Sequence, residues 1–306
     1  MKNKVAVVIV TYNRLELLKE CLNRINQYAH DVDKILIVNN GSTDQTYNFL
    51  EEIRSPKIIP LHQSENLGGA AGFYIGVKYA VEQLDTDFLW IMDDDTFIQE
   101  GAMENMINKF SLHPDIGFVN SHVIFKDFTA HVMNIPRFNK KYKSKTGEFN
   151  LTDFLIYNAL LISTGSFVSL MVRTSTVVEV GYPIKDYFIW VDDSEYTARI
   201  AAHGYLGVLA TDSVVMHYTK ANNGTNIKDD LRENAWRYYY LLRNKFHFYK
   251  TVYRKKLPYF LFVEIPGYLY LILRRKDSRL LFMKYWIKGV LKGIFFKPAI
   301  DKKANM

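Results

Sequence analysis

Two stretches of this 306-residue sequence crowd acidic side chains closer than a solvated surface needs. In "WIMDDDTF", Trp90 to Phe97, Asp93, Asp94 and Asp95 stand on consecutive positions directly behind an apolar run. Neighbouring carboxylates repel, and each is costly to bring near a low-dielectric interior, so the cluster calls for a cation or for several hydrogen-bond donors. Hard oxygen ligands of this kind suit Mg²⁺ or Mn²⁺ bridging to phosphates. The plain alternative is an acidic turn capping the next helix, for which one aspartate would suffice. In "WVDDSEY", Trp190 to Tyr196, Asp192, Asp193 and Glu195 open a helical pattern, where negative residues are also ordinary dipole partners. His217 closes the apolar run "SVVMH"; a histidine so placed is either a ligand or a hydrogen-bonded structural residue. The glycines of "NLGGAAGF", Asn66 to Phe73, permit close backbone approach to a ligand at a helix start. Their spacing is neither the dinucleotide fingerprint nor the phosphate loop.

The elements that must position these residues alternate up to about residue 124. "KVAVVIV" has strand length, and Leu15, Leu18, Leu22 and Ile25 follow at helical spacing. "KILIV", "KIIPL" and "DFLWIM" repeat the theme, with helices between them. Strand alternating with helix predicts a doubly wound, mostly parallel sheet, whose ligands sit outside the carboxyl ends of the strands. The polar motifs fall at those ends. Residues 126 to 150, with Lys140, Lys141, Lys143 and Lys145, read as a long basic loop. "SFVSLMVR" alternates like a strand, a helix over 193 to 205 is closed by Gly204, and "YLGVLA" and "SVVMHY" read as two short strands.

With 48% hydrophobic residues the chain can bury a large core, and its one cysteine, Cys21, excludes an intramolecular disulfide framework and fits a reducing compartment. The N-terminus holds six apolar residues before Thr11, too few for a secretory segment. Charge is divided unevenly. From Arg237 to Met306 there are 17 Lys and Arg against Glu264, Asp277 and Asp301, whereas the first 236 residues carry 22 against 29. A basic tail on an acidic body points to a polyanion. Residues 233 to 250 read as an aromatic, basic helix. The run 257 to 273, only 17 residues long and broken by two prolines and Glu264, falls short of a transmembrane helix. Lys284, Lys288 and Lys292 share one face of a final helix that is apolar elsewhere through Leu280, Trp286, Ile287, Leu291, Ile294 and Phe295, which is the pattern of an interfacial helix. That apolar bulk exceeds what a phosphate-tracking surface needs, so nucleic acid is not the expected partner.

Taken in order, "VVIVTYNR" (7 to 14), "IVNNGSTD" (37 to 44), "NLGGAAGF", "WIMDDDT", "VDDSEY", the histidine of "VVMHY" and "YYYLLRN" (238 to 244) resemble glycosyltransferase family 2, the inverting nucleotide-sugar transferases of GT-A fold, in its rhamnosyl- and galactofuranosyltransferase-like branch. The resemblance, which covers about residues 5 to 245, implies an α/β GT-A domain over 1–228, and the composition of the tail adds a helical, basic, membrane-facing extension over 229–306. It implies that Thr11, Tyr12 and Arg14 border the nucleotide, that Asn39 and Asn40 contact base or ribose, and that Asn66 and Gly68 line the donor pocket. Asp93 and Asp95 take the place of the metal-binding pair, with His217 as third ligand and Asp94 near the ribose. Asp193 is the implied general base, with Trp190, Asp192 and Glu195 on the acceptor side. Mn²⁺ or Mg²⁺ is the implied cofactor and a glycan or lipid-linked acceptor the implied partner, at the inner face of the cell membrane; a homo-oligomer is compatible with all of this. Two departures stand out: Asn39 where the branch often has aspartate, and Val191 where tryptophan usually adjoins the acidic pair. A haloacid-dehalogenase-like phosphatase reading of the aspartates remains as an alternative that Phe97, where that family has Thr or Val, weighs against.

Overall fold

The computed structural model describes residues 3–139, 145–147, 151–224 and 226–303. Four strands come first, β1 (Val5–Thr11), β2 (Lys34–Asn39), β3 (Ile58–His62) and β4 (Phe88–Asp93), joined by helices α1 (Leu15–Tyr28), α2 (Thr46–Glu52) and α3 (Gly69–Gln83). They pair in the order β3-β2-β1-β4, all parallel. β1 is buried along its whole length and β4 up to Met92, because continuous apolar runs suit strands covered by helices on both faces. Leu18, Cys21 and Ile25 supply the buried stripe of α1.

Beyond β4 the chain adds β5 (Thr96–Ile98), α4 (Ala102–Lys109), β6 (Ile116–Ile124), β7 (Arg137–Phe138), α5 (Leu151–Ile156), β8 (Ala159–Thr164), β9 (Leu170–Arg173), α6 (Thr174–Val180), α7 (Asp192–Ala202) and β10 (Leu206–His217). The sheet continues β4-β9-β6-β10-β8-β7, with β5 on the end of β10. The parallel character expected from the sequence holds for the first four strands and for β6 with β10; β9 runs antiparallel between β4 and β6, and β5, β7 and β8 are antiparallel to their neighbours. The reason is that periodicity reports an extended segment but not its direction. The two short strands expected around residues 205 to 218 are one strand, β10, which absorbs polar Thr211, Asp212 and Ser213 in a register shift between Ala210 and Val214. Of the basic loop, Lys140, Lys141 and Lys143 lie outside the described residues, and Lys145 pairs with Glu179 at 2.5 Å.

The C-terminal part is helical. α8 (Arg237–Thr251) is followed by a 20-residue helical run, Arg254–Leu273, and by the helix Arg279–Phe295. The two prolines do not interrupt the middle run: Pro258 sits in its first turn, and Pro266 follows a π turn, Phe260–Glu264, whose wider spacing accommodates the missing N–H. Glu264 turns inward to Lys245 (2.7 Å) and Tyr249 (2.6 Å). By length and composition alone this 20-residue run, with mean hydropathy 1.3, is long and apolar enough to cross a membrane, and it is longer than the 17-residue stretch read from the sequence. The last helix lies tightly on α8 through Gly289 and Gly293; a Cβ at Gly289 would come 2.8 Å from the Tyr239 carbonyl oxygen. The chain then returns to α3 and the segment before α7. Phe296 packs with Ala70, Ile184 and Tyr187, and Asp301 accepts from the Tyr182 amide (2.8 Å) and the Tyr74 hydroxyl (2.6 Å).

Candidate active site

The aspartate triplet is the turn between β4 and β5, not a helix cap, since α4 begins only at Ala102. β5 is held against the end of β10 with Thr96 opposite His217, which brings that histidine beside the turn. Carboxylate or imidazole atoms of Asp93, Asp95 and His217 all lie within 4.8 Å of one another. Ligands about 2.1 Å from a small divalent cation are roughly 3 Å apart when adjacent and roughly 4.2 Å when opposite, so the cluster is of the size that such an ion would gather. Asp94 and Asp95 are 3% and 4% exposed, and Arg14 bridges them at 3.2 and 2.8 Å. Thr11 donates to Asp94 at 2.7 Å.

Asn134 sets the ring of His217. Its amide nitrogen donates to Ser166 Oγ at 3.0 Å, which leaves its oxygen to accept from His217 Nδ1 at 2.9 Å. In the neutral ring Nε2 is then a lone pair, and it stands 3.2 Å from Asp95 Oδ1. That carboxylate oxygen is buried without a hydrogen-bond donor. Two electron-pair donors facing each other across 3.2 Å fit a cation between them, so the residues present match a divalent metal. Without one, a proton does the same work: burial lowers the His217 pKa, but Asp95 and Asp93 outweigh it and raise the value. Burial pushes Asp93 up to about 6, with Asp95 adding to it, and pushes Asp94 up to about 7 against the pull of Arg14. For Asp95 burial acts upward too, but His217 and Arg14 hold it below the usual range.

The second acidic cluster separates into two halves. Glu195, 1% exposed, is locked to Arg199 at 2.8 and 3.2 Å, and Arg199 donates onward to the carbonyls of Val180 and Tyr182. It belongs to the core, which corrects its expected place on the acceptor side. Asp192 and Asp193 face the crevice. Burial raises both, Asp193 is among the charges that raise Asp93, and Asp93 is among those that raise Asp192, so the two clusters share one space. Trp190 is half-buried beside them. The approach to α7 is strained: Phe188, Trp190 and Val191 have φ of 65°, 65° and 73°. For residues with a Cβ each such conformation costs about 1–2 kcal/mol.

On the other side of the triplet, Tyr12 is exposed at the end of β1 and Asn66 is exposed in the glycine loop. Asn39 and Asn40 are buried: Asn39 bonds His62 (3.1 Å) and the Ser42 amide (3.1 Å), while Asn40 bonds Asn66, the Leu67 amide and the Gly68 carbonyl. Their polar atoms therefore shape the loop rather than project from it. Gly68 has φ 84°, and a Cβ there would come 2.4 Å from the Phe188 carbonyl oxygen, so only glycine lets the two loops meet. The sequence reading had no place for Asn134 or for His131, whose ring lies tilted 4.5 Å from that of His217, and neither carries a local spacing signal; Asn244, which reaches the strained loop, entered it only as the end of "YYYLLRN", without a role.

Residues 6–168 match the sequence profile of the family described as glycosyl transferase family 2. The chain belongs to this family. The match ends before α7 and His217. Among relatives, poly-beta-1,6-N-acetyl-D-glucosamine synthase of Staphylococcus aureus (strain COL) is 25% identical over 202 residues, covering 66% of this chain and 46% of the relative. Galactofuranosyltransferase GlfT2 of Mycolicibacterium smegmatis is 25% identical over 268 residues, covering 79% and 40%. The chain thus spans less than half the length of these curated relatives. Among solved structures, the mannosyltransferase PcManGT from Pyrobaculum calidifontis, in complex with GDP-Man and Mn²⁺, overlays with a TM-score of 0.59 at 15% identity, over 96% of this chain and 88% of that one. The fold is that of the GT-A glycosyltransferases, and this family-2 chain carries it with a mixed sheet and flanking helices.

Proposed function

We propose that this family-2 chain is an inverting, metal-dependent glycosyltransferase that moves a sugar from a nucleotide-diphosphate donor to a hydroxyl of a glycan or lipid-linked acceptor, in the synthesis of a cell-surface polysaccharide. The observation that carries it is the buried Asp95 Oδ1 facing His217 Nε2 at 3.2 Å, with Asp93 within 4.8 Å of both and Asp193 near enough to raise Asp93. Asp93, Asp95 and His217 would hold Mn²⁺ or Mg²⁺, which when bound stabilises the charge developing on the departing nucleoside diphosphate. Thr11, Tyr12 and Arg14 would border the nucleotide, with Asp94 toward the ribose. Asn39 and Asn40 act by holding the loop of Asn66 and Gly68 that lines the donor pocket. Asp193 takes the proton of the acceptor hydroxyl, the oxygen forms its bond to the anomeric carbon from the far face, and the bond to the diphosphate breaks with its electron pair on the leaving group. The configuration inverts. Trp190 and Asp192 orient the acceptor.

The donor class we favour is UDP-galactofuranose, dTDP-rhamnose or a UDP-hexose, in keeping with the galactofuranosyltransferase relative. We further assign residues 1–228 to catalysis and 229–306 to an extension that lies on the inner face of the cell membrane. Leu280, Ile287, Leu291, Ile294 and Phe295 are exposed beside exposed Lys284, Lys288 and Lys292, a pairing of apolar and cationic surface suited to anionic lipid. The test is turnover: a panel of nucleotide sugars is screened for Mn²⁺-dependent release of nucleoside diphosphate. Release from at least one donor is expected, and release unaffected by excess EDTA contradicts the metal assignment.

A further inference from the structure

The "YYYLLRN" run of α8 is given no chemistry by the reading above, yet its last two residues reach the most strained segment of the chain. Asn244 is fully buried, and its side-chain nitrogen lies 2.9, 3.1 and 2.9 Å from the carbonyl oxygens of Tyr187, Ile189 and Trp190. Arg243 fixes which way that amide points: it donates to Asn244 Oδ1 from Nε (3.0 Å) and Nη2 (2.8 Å) and reaches the carbonyls of Asp186 (2.5 Å) and Tyr187 (3.1 Å). The ring of Phe296, from the returning C-terminus, covers the guanidinium at 4.0 Å. The carbonyls so held flank Phe188, Trp190 and Val191, three positive-φ residues within four positions, and the Val191 carbonyl in turn accepts from the Glu195 amide in the first turn of α7. Each positive-φ residue persists only where its surroundings over-determine it. The donors of Arg243 and Asn244 supply that constraint, and Asp193 stands three residues beyond the last carbonyl they hold.

We propose that Asn244, oriented by Arg243, is a positioning residue that fixes the 186–191 bend and through it the place of the Asp193 carboxylate. The proposal rests on the transferase reading, in which Asp193 is the base. It explains why an amide is needed: aspartate has the same shape but presents only acceptors to three carbonyl oxygens. A displacement of the base by about 1 Å costs on the order of 10²-fold in rate.

The experiment uses the full chain and compares Asn244→Asp, Asn244→Ala, Asp193→Asn and the double variant Asp193→Asn/Asn244→Asp. Three readouts are taken: Mn²⁺-dependent turnover of the donor panel, Kd for UDP with Mn²⁺, and amide hydrogen exchange. For Asn244→Asp we expect kcat lower by about 10²-fold, a Kd for UDP that changes far less than kcat although Phe188 of the bend backs Gly68, and faster exchange centred on residues 186–195. On the Asp193→Asn background the second substitution should cost little more, because both act on one step. Losses that multiply, or a Kd that worsens in step with kcat, overturn the proposal and make Asn244 a general stability residue. Where aspartate in the core prevents folding, Asn244→Ala adds no charge and carries the same expectations. If the wild-type chain turns over no donor, the transferase reading fails by itself; exchange at 186–195 then decides the brace, and exchange equal to wild type in Asn244→Ala overturns it.

Discussion

The two acidic clusters have nearly the same composition and opposite fates. At the β4–β5 turn, Asp93, Asp94 and Asp95 stay in the crevice because every partner they have, Arg14, His217 and Thr11, comes from the strand ends that form it. At the start of α7, Glu195 points into the core and is neutralised by Arg199 on its own helix, while Asp192 and Asp193 remain at the crevice. What separates a functional carboxylate from a structural one here is the direction of its compensating cation, not its charge or its neighbours in sequence. A cluster whose cations lie in the crevice is open to a ligand; one whose cation lies in the core is already satisfied.

The comparison is broken most forcefully at Asp193. Asp193→Asn keeps the shape and removes the proton acceptor, so kcat should fall by roughly 10²–10⁴-fold with little change in UDP affinity; near-normal turnover reassigns the base to Asp192. Glu195→Gln should behave in the opposite way. Removing one member of a buried ion pair typically destabilises by about 3–5 kcal/mol, so its melting temperature should drop while kcat per folded molecule holds. A smaller effect sharpens the electrostatics. Burial raises the Asp193 pKa, and Asp192 and Asp93 are the acidic groups that share its crevice. The proton-bound, inactive form therefore persists to higher pH than for a free carboxylate, and the acid limb of kcat against pH should lie above the ordinary range near 4 and vanish in Asp193→Asn. Smallest is the membrane term. Each lysine near an anionic surface contributes about 1 kcal/mol, so Lys288→Gln should weaken binding to phosphatidylserine vesicles by several-fold, with soluble turnover unchanged.

The first half of the fold was legible because its strands are apolar on both faces and its helices periodic; Val5 to Val10 and Phe88 to Met92 leave little choice. That Asp93 and Asp95 stand together at the sheet's carboxyl edge was legible for the same reason, since the polar residues that end such strands stand there. The direction of β9 was not legible, because "SFVSLMVR" specifies extension only. Glu195 was misplaced although a signal existed: Arg199 stands at i+4 and is its natural partner. The continuity of Arg254–Leu273 was missed because a proline at the start of a turn, or beside a π turn, does not break a helix. Asn134 and Asn244 act across 83 and 54 or more residues, so Asn134 leaves no trace in local pattern, and "YYYLLRN" shows Asn244 without showing what it holds.

The central claim is that Asp93, Asp95 and His217 form a divalent-metal site serving a nucleoside diphosphate, and isothermal titration of UDP tests it most directly. In Mn²⁺ the wild-type chain should bind UDP, excess EDTA should abolish that binding, and Asp95→Ala should fail to recover it at any added Mn²⁺ while remaining folded. UDP binding of equal strength in wild type and Asp95→Ala, or in wild type with and without the metal, would contradict the account.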